Sequence, residues 1–384
     1  MLDFVGQHRA EFRFDRLLSS LTGLSRRELV DGVENGFGSL PPGCHIHLQR
    51  QTREQVLQGL RSLTSQNWRR LITELQTYAA LKGRTSVRLV DFLHDQALEL
   101  EDIYRFGSGQ GRSGWTALKR DAGLISEEPG PEEDYFSRRF GDLLHVDDPR
   151  RIDMMAAVGA RQNRSSPLNA EDALGVQMLA YQIDGRHGQA AGHEAFLERM
   201  ARHPAIAAEL VELSALLQAR NTLGVHPVPG LDDTPLCLHA AYGAREILTA
   251  AGWLTASRRV QFQADILSLT SRKTELLFVT LDKSEGYHDR IAYHDYAISA
   301  ERFHWQSQNS AGPDTSGGRR YLESSTNGWQ FQLFVRPRRG EAYRACGPVT
   351  LESAEGDRPM SIVWQLQTRL PARLFRAFSV LRGL

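Results

Sequence analysis

The densest chemistry in the 384-residue chain lies between Tyr287 and Tyr343. Ten of the 32 aromatic residues fall there: Tyr287, Tyr293, Tyr296, Phe303, Trp305, Tyr321, Trp329, Phe331, Phe334 and Tyr343. Among them stand Arg290, Arg302, Arg319, Arg320, Arg336, Arg338 and Arg339. Aromatic rings that stack on bases, with arginines on phosphates, are what recognition of a single-stranded or flipped-out base requires. The run Phe303-His304-Trp305-Gln306-Ser307-Gln308-Asn309 also places amide and imidazole groups beside an indole, and such groups can read a base edge. The expected nucleic-acid-binding set is therefore His304, Trp305, Gln306 and Gln308, rimmed by Arg319, Arg320 and Arg336. The competing reading is a β-core with inward rings and solvated arginines.

Strand geometry limits that set. On a regular strand His304, Gln306 and Gln308 share one face, and Phe303, Trp305 and Ser307 the other. The indole joins the polar trio only if the strand ends or bulges near Trp305, which Asn309-Ser310-Ala311-Gly312-Pro313 downstream would permit. On a regular strand Trp305 belongs to the core.

Other chemistries find thinner support. His288, His294 and His304 with Asp289 and Asp295 are the residues a metal-dependent nuclease would use, and this is the alternative function. No ββα histidine–metal spacing surrounds them, and Asp265, Glu275 and Asp282-Lys283 lack the acid-x-lysine spacing of restriction-type cores. Gly109-Gln110-Gly111-Arg112-Ser113-Gly114 has the G-x-G-x-x-G spacing, but a predicted helix precedes it where a dinucleotide site needs a strand. It reads as a turn between helices. No G-x-x-x-x-G-K-[ST] loop is present, so no ATPase activity is expected of this chain alone. His45 and His47 lack carboxylate or cysteine partners at metal-binding spacing. No catalytic residue, metal or cofactor is expected.

The elements that would position these groups follow from periodicity and breakers. Residues 2–5 read as a short strand. Helical spacing recurs over 53–81 and 86–106, in WTALKRDAGL, and across the alanine-rich stretch 135–224. Between Arg69 and Arg120 the helices carry a basic set that a helix-turn-helix reader of duplex DNA would use. Beyond His226 the pattern changes. Residues 276–281 form a short apolar run, 329–336 alternate with Trp329, Phe331, Leu333 and Val335 on one face, and 361–369 read as a further strand. The expected fold is α+β, with helical N-terminal and middle regions followed by a β-rich C-terminal domain. The expected segments are 1–40, 41–125, 126–225 and 226–384, with SEEPGPEED (126–134) and HPVPGLDDTP (226–235) as linkers.

Composition sets the outer bounds. At 41% hydrophobic and 24% charged the chain is globular rather than disordered or fibrous. Cys44, Cys237 and Cys346 are too scattered for a disulfide framework. No apolar run approaches the roughly 18 residues of a membrane span, so a cytoplasmic protein with no membrane partner is expected. The zero net charge hides two basic ends around an acidic middle. Residues 1–120 carry 17 basic and 13 acidic side chains, 121–249 carry 11 and 20, and 250–384 carry 18 and 13. Basic ends suit nucleic acid; electrostatic pairing between neighbouring segments explains the same asymmetry.

Several pieces carry a resemblance. Leu2-Asp-Phe-Val-Gly-Gln-His-Arg-Ala-Glu-Phe-Arg-Phe-Asp15 resembles the stretch after the last helicase motif in a group of bacterial superfamily-two DEAD/DEAH-type helicases. Pro235-Leu-Cys-Leu-His-Ala240, Phe278–Glu285, Tyr293–Ser299, Phe303–Gln308 and Gly356–Ser361 resemble the domain of unknown function that ends those proteins. The resemblance implies that this chain is a split product or fragment lacking the RecA-like lobes, with residues 1–5 a remnant of the second lobe. It implies a non-catalytic nucleic-acid-binding module, DNA being the expected partner, that works beside a helicase or nuclease chain in DNA repair or defence. By analogy of fold it suggests a PUA-like or base-flipping-type barrel. A protein-interaction scaffold built on the acidic middle is the remaining alternative.

Overall fold

The computed structural model describes residues 18, 22, 26–35, 46, 48, 52–54, 56–57, 68–83, 86–96, 98–104, 111–161, 168–185, 192–255, 258, 265–282 and 295–379. The chain divides into two compact units, the second running from Ala79 to Val380. In the first, the helix α1 (Arg26–Asn35) contributes Leu29 and Val33 to a small core with Leu18 and Val56. The expected strand at 2–5 and the histidines His45 and His47 lie outside the described residues.

The helical part comprises α2 (Trp68–Lys82), α3 (Leu89–Gln96), α4 (Leu100–Ile103), α5 (Trp115–Asp121), α6 (Glu133–Arg139), α7 (Pro149–Ala160), α8 (Ala170–Asp184), α9 (His193–Ala201) and α10 (Pro204–Arg220). Local chemistry sets several starts. Asp148 caps α7 by accepting from the Arg150 N–H at 2.9 Å, with Pro149 following as the first helical residue. Asn169 caps α8 in the same way. The start of α5 is capped from a distance: the fully buried Glu209 of α10 accepts from the N–H groups of Trp115 and Thr116, both at 2.9 Å. Gly114, the last glycine of the G-x-G-x-x-G spacing, sits just before α5 at φ +98, where a Cβ would meet the Ser137 carbonyl at 2.7 Å. The helix α4 ends at Ile103, ahead of the motif; Gly109 and Gln110 lie outside the described residues.

Electrostatic pairing runs through this part. Arg88 pairs with Asp91 at 2.7 Å, Lys82 with Asp95 at 3.0 Å, Arg112 with Asp121 at 3.2 Å, and Lys119 with Glu212 at 3.7 Å. The acidic stretch 126–134 is held by its own charges. Glu132 bonds Arg199 at 2.7 Å, Glu133 bonds Arg120 at 2.7 Å, and Asp134 pairs with Arg112.

The β-rich part opens with β1 (Ala241–Tyr242) and α11 (Ala244–Ala250). It continues through β2 (Ile266–Leu269), β3 (Thr274–Asp282), β4 (Tyr296–Ala297), β5 (Arg302–Gln306), α12 (Ser316–Leu322), α13 (Ser324–Asn327), β6 (Gln330–Arg338), β7 (Tyr343–Glu355), β8 (Ser361–Leu366) and α14 (Ala372–Phe378). Among the described residues the strands form one mixed sheet in the order β2-β3-β6-β7-β8-β5-β4, with β1 on β7. β3 and β6 are parallel, in register from Thr274↔Gln330 to Asp282↔Arg338; the other pairs are antiparallel. The fold is α+β as expected, but the expected barrel does not form. The sheet stays open, ending in β2 with 4 residues and β4 with 2. It buries its faces under helices and loops rather than by closing on itself.

One face, called inner here, is a single apolar layer: Phe303, Trp305, Phe331, Leu333, Val335, Val349, Ile362, Trp364 and Leu366. Tyr321 of α12 lies on it, 5.5 Å from Phe331 and 5.6 Å from Trp305 between ring centroids, and Leu374 and Phe378 of α14 complete the cover. The outer face is covered along β3 and β6. Phe334 stacks on Phe278 at 5.6 Å, and Gln332, fully buried, donates to the Pro229 carbonyl at 2.8 Å. The alternation expected for 329–336 is present, with Gln330 exposed and Arg336 half-buried on its polar side, yet Gln332 between them is buried.

The helical layer is bolted to the sheet by a buried polar network. The Tyr242 hydroxyl donates to Asp148 and accepts from the Cys237 N–H at 2.7 Å. Glu246 of α11 pairs with Arg151 and lies 2.7 Å from His145 Nε2. Asp147 accepts from the Ala241 N–H at 2.7 Å and pairs with Arg344 of β7. Burial, reinforced by the Arg151 charge, pulls the His145 pKa down to about 4. Burial pushes the Cys237 and Cys346 thiols up to about 11 and about 12. No helix of the described residues is long and apolar enough to cross a membrane.

Candidate nucleic-acid interface

The site is built on β5, whose residues alternate strictly. Phe303 and Trp305 are buried, and Arg302, His304 and Gln306 are half-buried on the outer face. The pairing is unbroken from Arg302↔Gln365 through His304↔Val363 to Gln306↔Ser361, so no bulge brings the indole to the polar side. Trp305 is a core residue, 3% exposed, set edge-on to Tyr321 and 6.2 Å from Trp364. Its expected role as a stacking platform is thereby corrected.

The outer face of β5 gathers three segments that are distant in sequence. His304 Nε2 lies 2.6 Å from the Ser361 hydroxyl on β8. The His304 ring stacks on Tyr296 of β4 at 5.2 Å and 20°. Asp295, 8% exposed, accepts from the Gln306 N–H at 2.8 Å and so anchors β4 to the end of β5. At the same end the Ser307 hydroxyl accepts from the Met360 N–H at 2.8 Å. Tyr296, His304, Gln306 and Ser361 thus form one half-open polar patch, with Gln365 opposite Arg302 extending the row.

The other expected residues lie elsewhere. Gln308 is exposed beyond the end of β5, and its carbonyl accepts from the Ala311 N–H at 2.8 Å. Arg319 is exposed on α12, the helix over the inner face, and so lies across the sheet from His304. Arg320, on the same helix, is a structural clamp. Its Nη1 donates to Ser268 at 3.1 Å and pairs with the buried Glu275, and its guanidinium lies 4.7 Å from the Trp329 ring centroid. Burial raises the Glu275 pKa, opposed by the Ser268 and Arg320 contacts.

Arg336 shares the outer face but is far away. β6 and β5 are separated by β7 and β8, and along β7 the partner of Val335 is Arg344 while the partner of Val363 is Ser353. Three strand spacings and nine residues of strand put Arg336 on the order of 30 Å from His304. It sits 4.4 Å over Tyr343 and donates to Thr280 at 2.8 Å. The expected arginine rim around the polar trio is therefore not formed, because it draws on both faces and two ends of one sheet.

Three arginines beside the patch are already paired. Arg302 makes a two-pronged bond with Glu352 at 2.5 and 2.8 Å, Arg369 meets Glu301 at 3.1 Å, and Arg358 pairs with Asp314 and with Asp357 at 2.9 Å. Of the metal-nuclease set, His288, Asp289 and His294 lie outside the described residues, and Asp295 and His304 are bonded as above. Among the described residues no group of three or more His, Cys, Asp or Glu is arranged to hold a metal ion.

Sequence reasoning missed Ser361 and the place of Tyr296 in the patch. The signal was present: Tyr293–Ser299, Phe303–Gln308 and Gly356–Ser361 were three of the resembling pieces, and the structure brings Asp295 and Tyr296 of the first, the strand of the second and Ser361 of the third together.

Residues 236–378 match a family described as "Domain of unknown function (DUF3427)". The matched segment opens just before β1 and closes at the last residue of α14, so it holds every strand of the sheet. No curated protein matches the chain.

Proposed function

We propose that this chain is a non-catalytic nucleic-acid-binding module, with the half-open patch on β4, β5 and β8 as its contact surface. The observation that carries the reading is the convergence of Tyr296, His304, Gln306 and Ser361 on one sheet face. A phenol ring, an imidazole, an amide and a hydroxyl there supply both a stacking surface and hydrogen-bonding groups for base edges. The similarity to the C-terminal domain of DEAD/DEAH-type helicases extends the reading. The module works beside such a helicase on DNA, in repair or in defence against foreign DNA. The test is fluorescence anisotropy with a labelled mixed-sequence DNA, offered as a single strand and as a duplex. Binding of either form that weakens at least tenfold in His304→Ala/Gln306→Ala, with folding unchanged by circular dichroism, supports the reading. Absence of binding to both forms at low salt overturns it.

A further inference from the structure

We infer that the patch takes an unpaired base of a single strand in preference to duplex, and that Tyr296 is the residue on which the base stacks; this rests on the nucleic-acid reading above. The argument begins with charge. Double-stranded DNA presents about one negative charge per 1.7 Å, and proteins that grip it do so largely through uncompensated lysines and arginines. Among the described residues around this patch, Arg302, Arg358 and Arg369 are each paired with acidic partners, Glu352, Asp314, Asp357 and Glu301, so these three arginines add no uncompensated charge. Two further described arginines, Arg373 and Arg376, belong to α14, whose Leu374 and Phe378 pack on the inner face.

What the patch does offer is short-range and directional. The Tyr296 ring is half-buried, with one face against His304, and a base laid on its other face would complete a three-ring stack. Gln306 and Ser361 are cross-strand partners on the same face. Their amide and hydroxyl would meet the edge of a base lying on the sheet. Both interactions need a base whose face and edge are exposed, as in a single strand; a duplex hides its faces in the stack.

The position of Tyr296 is itself fixed. It follows Asp295, whose carboxylate holds the Gln306 N–H, and it pairs with His304 in the β4–β5 register. The ring therefore costs little further ordering when a base arrives.

The experiment compares anisotropy of a labelled 12-nucleotide single strand and of the same sequence as a blunt duplex, at two salt concentrations. It uses the full chain, Tyr296→Phe and Tyr296→Leu. The expected result is at least tenfold tighter binding of the single strand. Tyr296→Phe should bind as wild type, and Tyr296→Leu should bind about 5- to 150-fold more weakly, since a stacked base is worth that much. Single-strand affinity should fall only shallowly with salt. Duplex bound as tightly as single strand, with a steep salt dependence, overturns this inference and leaves the general nucleic-acid reading standing. Single-strand binding unchanged in Tyr296→Leu removes Tyr296 as the stacking residue, and loss of both ligands in wild type overturns both readings.

Discussion

The Tyr242 hydroxyl donates to the Asp148 carboxylate across 94 residues of sequence, and both groups are buried. That one bond ties the first strand of the sheet to the cap of α7. His145, Arg151 and Glu246 stand beside it, so the junction of helical layer and sheet is a titratable joint.

The joint should weaken in acid. The His145 pKa is about 4 in the folded state, below its ordinary value of 6.5, because burial disfavours the imidazolium. A depressed histidine contributes stability that is complete above the unfolded pKa and is lost as pH falls toward the folded one. Between about pH 6.5 and pH 4 the unfolded chain binds the extra proton, and the full loss is about 3 kcal/mol. Urea denaturation across that window should show the decline, and His145→Gln should flatten it.

Arg320 should matter for stability rather than for binding. Arg320→Ala strands the Glu275 carboxyl, 1% exposed, without its cation, at a cost of about 2–3 kcal/mol. The exposed Arg319→Ala should stay within about 0.5 kcal/mol of wild type. Equal denaturation midpoints for the two variants would contradict the clamp.

Trp305→Ala should behave as a core truncation. Removing an indole packed against Tyr321 and Trp364 costs about 3–5 kcal/mol. Any loss of oligonucleotide binding in that variant should track the unfolded fraction measured by near-ultraviolet circular dichroism.

The family-matched segment alone should fold poorly. A fragment of residues 236–378 lacks Pro229, which accepts from the buried Gln332, and lacks Asp147 and Asp148, the partners of Arg344 and Tyr242. Its thermal transition should be lower and broader than that of a fragment beginning at Ala79. A matching transition would show that the polar joint is dispensable.

Much of the architecture was legible because it rests on local periodicity. The apolar run 276–281 became β3, and the alternation at 329–336 became β6 with Phe331, Leu333 and Val335 inward. The strand rule also separated Trp305 from His304 and Gln306. What could not be read was long-range. Nothing local distinguishes an open sheet from a barrel, since the difference lies in whether the end strands β2 and β4 pair with each other, and among the described residues they do not. Gln332, on the polar side of 329–336, looks solvated until Pro229 is found over it. The arginines were grouped by nearness in sequence, whereas α12 carries Arg319 and Arg320 over one face and β6 carries Arg336 to the far end of the other.

The parallel register of β3 on β6 also bears on how the chain finds its fold. Thr274 must meet Gln330 after the intervening segment, with β4, β5, α12 and α13 in it, has been drawn into a closed loop. Loop closure of that span comes before any ladder bond can reward it, so refolding should be slow compared with that of the helical layer. During that interval the apolar strand Leu276-Leu277-Phe278-Val279 waits unpaired on the β6 side, and in a crowded solution a second unfolded chain competes for it.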